Sequence, residues 1–139
     1  MSEQDKAVVR RYFAEVWSKG NYDVADEVIA RGVPATTGMA MSPEMIKRVV
    51  PLMRAAFPDV TYKVDQIIAE GDRIVAYWTA SGTHKGEFRG VAPTGKQIKF
   101  SGFDIYRMSD GKLAERWGLN DDLGLLQQLG AVSVPPLVI

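Results

Sequence analysis

The sequence contains no cysteine and only one histidine, His84, among its 139 residues. Without cysteine the chain cannot form a disulfide, a thiolate metal site or a thiol nucleophile. One imidazole is too few for a metal site built from several histidines of one chain. We therefore expect no metal. Because no glycine-rich nucleotide fingerprint follows a strand, we also expect no organic cofactor.

The chain also lacks an excess of charge of either sign and a long apolar run. Its 17 basic and 17 acidic side chains give a formal net charge of zero, which provides no electrostatic attraction to nucleic acid or to an anionic membrane. No apolar run reaches the roughly 20 residues that span a bilayer, and the polar residues 1–5 do not resemble a secretory signal. We expect a soluble cytoplasmic protein, folded as one domain over residues 1–139.

Hydrophobic periodicity predicts three helices in the first part of the chain. Apolar residues at helical spacing predict a first helix over residues 6–19, which Gly20 ends. A shorter helix over residues 22–29 follows. The sequence Ser42-Pro43-Glu44 has the cap, the proline and the acid that are typical of a helix N-terminus. Pro51 lies inside this third helix and should kink or interrupt it.

The hydrophobic period changes to two after Pro58, which predicts strands. We place them at residues 60–69, 73–84, 96–108 and 112–120, with a hairpin turn at residues 109–111. A short helix over residues 123–129 follows. This order indicates an α+β domain in which N-terminal helices pack in a strongly curved antiparallel sheet that forms a cone. The open mouth of such a cone is a natural site for a small apolar ligand.

Several segments, in this order along the chain, resemble one family. They are Val9–Trp17, Arg54–Asp59, Gly82–Phe88, Pro93–Lys96, Gly102–Arg107, Asp110–Lys112 and Glu115–Leu129. Together they are similar to the SnoaL-like polyketide cyclase family, within the NTF2-like, ketosteroid-isomerase-type superfamily. The resemblance covers nearly the whole chain, and it implies the same cone-shaped fold.

The resemblance also implies a reaction, which is the cofactor-independent intramolecular aldol ring closure of an apolar, polyketide-like ester. In the family, the acidic residue after the Glu-x-Trp strand motif is the catalytic acid/base, and Asp121 has that position here. Such chemistry needs a group that removes a proton next to a carbonyl, and a donor that stabilises the enolate. A simpler interpretation of Asp121 is that it caps the final helix.

The sequence departs from the family at two places. Family members commonly carry a histidine, often after an acid, in the segment that follows the second helix. Residues 31–37 of this chain contain neither a carboxylate nor an imidazole. Family members also often read Glu-His-Trp where this chain has Glu115-Arg116-Trp117. The alternative function is therefore a non-catalytic domain that binds small molecules.

Five further residues are candidates for substrate binding. Tyr12 can direct its hydroxyl into the cavity from the first helix, and His84 ends a strand beside a glycine-rich loop. Asp104 shares a strand face with Tyr106, which we expect to be the cavity face. Trp117 is expected in the cavity wall.

Strand alternation argues against a third function, epoxide hydrolysis. Epoxide hydrolysis would need Asp104, Arg116 and Asp121 in one cavity, but alternation places Arg116 on the opposite face from Asp121.

The central strands carry too many apolar residues for a solvated outer face. We therefore expect a homodimer, or a higher homo-oligomer, formed through the sheet.

Overall fold

The computed structural model describes residues 2–133 and 135. Its elements, in chain order, are α1 (Ser2–Arg11), a π-helical segment (Tyr12–Ser18), α2 (Val24–Val28), β1 (Met39–Ala40), α3 (Pro43–Ala56), β2 (Thr61–Glu70), β3 (Arg73–Thr83), β4 (Gln97–Ser109), β5 (Lys112–Asn120) and α4 (Asp122–Gln128). The five strands form one antiparallel sheet in the order β1-β5-β4-β3-β2. This is the predicted α+β architecture, with the N-terminal helices packed on a curled sheet.

The four long strands lie within one residue of their predicted ends. Alternation of buried and exposed residues along β3 and β4 explains this agreement, because the strands have one face on the core and one outside. The two-residue strand β1 pairs with β5 and was not predicted. None of the helices in the described ranges combines the length and apolar content needed to cross a bilayer.

The core lies between the helices and the inner face of the sheet. On the helix side it buries Val9, Phe13 and Val16, and on the sheet side it buries Ile74 and Trp78. These inner-face residues of β3 alternate with half-buried residues of the outer face. Burial of large apolar side chains at about 1.5–3 kcal/mol each drives this packing.

Helix α3 begins where its sequence predicts. The hydroxyl of Ser42 accepts a hydrogen bond from the amide of Met45 at 3.1 Å, and proline occupies the first turn. The helix is not interrupted at Pro51, however, and continues to Ala56. Val50 and Ala56 are both fully buried on either side of this proline. Packing of that apolar face outweighs the one backbone hydrogen bond that proline removes.

Glu115 fixes the segment between α2 and α3 to the sheet. Its carboxylate is fully buried and accepts hydrogen bonds from the amides of Thr36 at 2.6 Å and Gly38 at 2.8 Å. The guanidinium of Arg107 donates to it at 2.8 Å. Burial acts to raise the pKa of Glu115, but the bonds from Arg107, Gly38 and Thr36 outweigh burial and lower the pKa to about 2.

Candidate functional site

A small inner chamber lies between the first helix and the inner face of the sheet. Its volume is about 50 Å³, and it is lined by Tyr12, Phe13, Trp17, Met53, Tyr62, Trp78, Asp104, Tyr106, Arg116 and Asn120. Most of this lining is aromatic. The chamber exceeds the roughly 10–15 Å³ that one water molecule needs, and it is far smaller than a drug-sized ligand. It therefore suits one small polar group, such as a carbonyl.

An ion pair between a buried carboxylate and a half-buried guanidinium occupies this inner chamber. The Asp104 side chain is only 4% exposed, and its Oδ1 lies 2.7 Å from Nη2 of Arg116. Nε of Arg116 donates to the same oxygen at 2.9 Å. The second oxygen, Oδ2, accepts from the indole of Trp78 at 3.0 Å and from the hydroxyl of Tyr106 at 2.9 Å.

Strand register and one glycine explain why the ion pair forms. Asp104 on β4 lies opposite Gly118 on β5, and Tyr106 lies opposite Arg116. A Cβ atom at position 118 would overlap both the Asp104 carboxylate and the Arg116 guanidinium. Glycine at this position therefore gives the two charged groups the room to meet over the sheet.

The chamber tyrosines are available as donors and not as bases. Burial raises the pKa of Tyr12 and of Tyr62, and the nearby Asp104 carboxylate raises both further. Burial and the same carboxylate raise the pKa of Tyr106 well above its ordinary value. All three phenols therefore stay protonated at neutral pH.

A wider outer groove adjoins the inner chamber. It has a volume of about 590 Å³ and is lined by Trp17, Val49, Leu52, Met53, Ala55, Glu87, Phe88, Arg89, Asn120 and Asp122. Trp17, Met53 and Asn120 line both spaces. Leu52 is 72% exposed, so the groove lies at the surface. Its volume falls in the range of small-molecule sites, roughly 300–1,000 Å³.

Asp121 lies at the end of β5, beside Asn120, and caps α4. Its Oδ1 accepts a hydrogen bond from the amide of Gly124 at 2.9 Å, and the residue is exposed. A Cβ atom at position 124 would overlap the Asp121 carboxylate, so glycine makes room for this cap. Asp121 is not among the residues that line the inner chamber.

His84 and Trp117 lie away from the inner chamber, unlike the arrangement expected from the sequence. The His84 ring is fully buried beneath the loop before β4, where it packs against Phe57 and its Nδ1 contacts Thr94. Trp117 lies on the outer side of the sheet, under the guanidinium of Arg73. The prediction that Trp117 forms part of the cavity wall is wrong, because alternation on β5 turns Arg116, and not Trp117, inward.

The remaining candidates do line the inner chamber, since Tyr12, Asp104 and Tyr106 all face it. Sequence reasoning did not select Arg116, although it had placed this residue on the face opposite Asp121. The sequence does not show the register between β4 and β5. In that register Arg116 pairs with Tyr106 and therefore lies on the same face of the sheet as Asp104. The three residues considered for epoxide hydrolysis are therefore not together, because Asp104 and Arg116 line the chamber whereas Asp121 caps α4.

The model of the SnoaL-like polyketide cyclase family matches residues 7–129. No curated protein matches the sequence. A solved structure of a proposed polyketide cyclase from Acidithiobacillus ferrooxidans is 34% identical, with a TM-score of 0.80 over 94% of this chain and 96% of that chain.

Two further structures are similar. IdmH from Streptomyces antibioticus, a proposed polyketide cyclase, is 30% identical with a TM-score of 0.77, over 91% of this chain and 99% of IdmH. TsrD from Streptomyces laurentii has a TM-score of 0.83 over 94% of this chain and 97% of TsrD. Because TsrD is only 23% identical, this similarity bears on the fold alone.

Proposed function

The chain belongs to the SnoaL-like polyketide cyclase family, and on this premise we propose that it catalyses an intramolecular aldol condensation, or a related proton transfer, on an apolar carbonyl compound. Family membership supports a cyclase-like function. The observation that carries the finer proposal is the combination of two spaces. A chamber with a half-buried cation accommodates one oxygen atom, and the adjoining apolar groove accommodates the body of a small molecule.

The reaction needs a proton acceptor and a group that stabilises negative charge on oxygen. A base removes a proton from the carbon next to a carbonyl, and the enolate carbon attacks a second carbonyl carbon of the same molecule. One carbon–carbon bond forms, and the new alkoxide takes a proton from the protonated base. The product is an isomer of the substrate, so the step consumes no oxidant, reductant or cofactor.

The inner chamber supports the charge-stabilising half of this chemistry. Tyr12 and Tyr62 remain protonated because burial raises the pKa of each phenol, and Arg116 is a permanent cation. Donors that are held in place in a site with little water stabilise a developing oxyanion more strongly than water does. An apolar body lying on Trp17 and Met53 could reach these donors with its carbonyl, since both residues line chamber and groove.

We assign the proton-accepting half to Asp121. The assignment rests on its position after the Glu-x-Trp motif and on its place beside Asn120, which lines both spaces. Its hydrogen bond to Gly124 uses Oδ1, and a carboxylate has further lone pairs on both oxygens. The cap bond therefore leaves the carboxylate able to accept a proton.

A deuterium-exchange experiment tests this assignment. The purified protein is incubated in D₂O with a panel of neutral aryl and bicyclic ketones, including α-tetralone, and incorporation next to the carbonyl is followed by NMR. We expect wild-type protein to accelerate exchange. Asp121→Asn keeps the capping ability but cannot accept the proton, so the rate should fall by roughly two to four orders of magnitude.

Two controls separate catalysis from capping. Asp23→Asn, which neutralises an exposed carboxylate at the N-cap position of α2, should retain exchange. Asp121→Ala should lower stability by about 1 kcal/mol, the usual cost of a lost N-cap. An Asp121→Asn variant that exchanges as fast as wild type would end the assignment of this residue.

The second candidate is a non-catalytic binding domain, and one observation favours it. The Asp121 carboxylate is already hydrogen-bonded as a helix cap and is exposed. Under this hypothesis the ketones bind, as seen by quenching of tryptophan fluorescence, while wild-type protein leaves their exchange rates unchanged. That pair of results would replace the enzyme proposal with the binding one.

A further inference from the structure

We infer that Arg116 is the catalytic residue that binds the substrate's carbonyl oxygen, and that Asp104 is the positioning residue that directs it. The inference rests on the proposed function and adds to it a residue for the charge-stabilising step. Its starting point is the geometry of the Arg116–Asp104 pair in the inner chamber.

The Arg116 guanidinium is held at one edge only. Both of its contacts with Asp104, through Nε and Nη2, go to the single oxygen Oδ1. Among residues 2–133 and 135, no hydrogen bond uses Nη1. The side chain is 26% exposed and lines the inner chamber. A guanidinium has five N–H donors, so donors remain for an oxygen atom brought into the chamber.

Asp104, in contrast, has both carboxylate oxygens engaged. Its Oδ2 accepts hydrogen bonds from Trp78 and Tyr106, while its Oδ1 accepts one from Nε of Arg116 and lies 2.7 Å from Nη2. Three hydrogen bonds and one close ionic contact thus hold the carboxylate in place. A group bound in this way cannot readily approach a substrate proton. Its function is to fix the plane of the guanidinium and to balance its charge.

The charge balance limits what the chamber can bind. Arg116 and Asp104 together are neutral, and the phenols of Tyr12 and Tyr62 are uncharged. A neutral ketone or ester oxygen can take the remaining donors without changing that balance. A carboxylate or phosphate would have to give up its hydration on entering a poorly hydrated site, which is costly, whereas a ketone enters uncharged and its negative charge develops only beside Arg116. The chamber is therefore selective for a neutral oxygen on which charge develops during the reaction.

A chemical-rescue experiment tests the role of Arg116. In Arg116→Ala, ketone exchange should fall about 10²–10³-fold, the usual effect of removing one oxyanion donor, with most of the loss in kcat. Added guanidinium chloride at millimolar concentration should restore part of the rate, because the free cation can occupy the vacated space beside Asp104. Rescue is not expected of a residue that only supports the fold.

Two variants serve as controls. Arg73→Ala removes an arginine on the other side of the sheet, where it lies over Trp117, and should leave the exchange rate unchanged. Asp104→Asn should lower kcat and should not respond to guanidinium, since its own arginine is still present. Melting temperatures of all variants establish that each is folded.

A measurement on the wild-type protein keeps the inference testable if Arg116→Ala does not fold. A neutral ketone should bind at least tenfold more tightly than a carboxylate of the same shape. Equal or reversed affinity would overturn the inference. So would a folded Arg116→Ala variant with a wild-type exchange rate, or one that guanidinium does not rescue. Absence of exchange by wild-type protein would instead overturn the proposed function, so the two failures are distinguishable.

Discussion

Two buried carboxylates on neighbouring strands have different structural tasks in this protein. Asp104 faces the inner chamber and holds Arg116 there. Glu115 binds Arg107 and the backbone of the segment at Thr36 and Gly38. Each carboxylate is saturated by donors, which is how a folded chain tolerates a buried charge. The sequence shows both acids but not which partners they will have.

The pKa of Glu115 makes a prediction about stability and pH. Its pKa is about 2 in the folded protein, against an ordinary value of 4.5. A carboxylate with a depressed pKa stabilises the fold above the unfolded-state value, and that contribution is lost as pH falls from about 4.5 towards 2. We expect Glu115→Gln to melt at a lower temperature than wild type at pH 7, with the difference shrinking over this window.

Urea unfolding at a series of pH values measures this difference. Glu27→Gln is the matched control, because Glu27 forms an exposed ion pair with Arg11 and such pairs contribute little. A Glu115→Gln variant whose stability deficit stays constant from pH 7 to about 2.5 would show that the charge of Glu115 does not stabilise the fold.

The candidate site could be predicted only in part from individual residues. Alternation along β4 was enough to place Asp104 and Tyr106 on one face of the sheet. Helical spacing was enough to place Tyr12 on the apolar face of the first helix. Arg116 and Trp117 were harder, because their sides depend on the register between β4 and β5. A shift of one residue exchanges the two faces of a strand, and no local pattern in the sequence reports that register.

At the scale of elements, the π-helical segment shapes the chamber. Tyr12 and Trp17 are five residues apart, yet both line the same space. In an α-helix of 3.6 residues per turn, side chains with this separation point about 140° apart. The wider turn of residues 12–18 brings them together, and such turns often occur at functional sites. The apolar spacing predicts a helix here but does not reveal the change of turn.

Other elements were predictable to the extent that their signals are local. The long strands alternate and are separated by glycine-containing turns, so their ends are clear in the sequence. The cap at Ser42 and the stop at Gly20, whose φ is +70°, are equally local. The uninterrupted course of α3 through Pro51 and the short strand β1 were not predictable. The continuation of α3 depends on burial, and β1 depends on the hydrogen bonds that Glu115 makes to the preceding segment.

At the scale of the whole molecule, both faces of the sheet carry apolar side chains. Within residues 2–133 the helices pack on the inner face. On the outer face Phe103 is 58% exposed and Leu119 is 83% exposed. The ring of Phe103 stacks on Tyr77 at 4.6 Å. Clusters of exposed large apolar side chains commonly mark an interface, and a homodimer through this face remains our prediction.

We expect wild-type protein to be a dimer at micromolar concentration. The double variant Phe103→Lys, Leu119→Lys places like charges in the interface and should be monomeric. Gln4→Lys, which adds a charge to an exposed position on α1, should remain dimeric. Light scattering distinguishes these states. A monomeric wild-type protein would show that the outer face does not hold two copies together.

We propose that one site, formed by the inner chamber and the outer groove, binds a neutral carbonyl compound with its oxygen on Arg116. A crystal structure of the protein with α-tetralone bound would locate the ligand. We expect the ketone oxygen within hydrogen-bonding distance of Nη1 of Arg116, and the rings against Trp17 and Met53. A ketone bound in the groove with its oxygen towards solvent, or bound at another surface, would contradict this proposal.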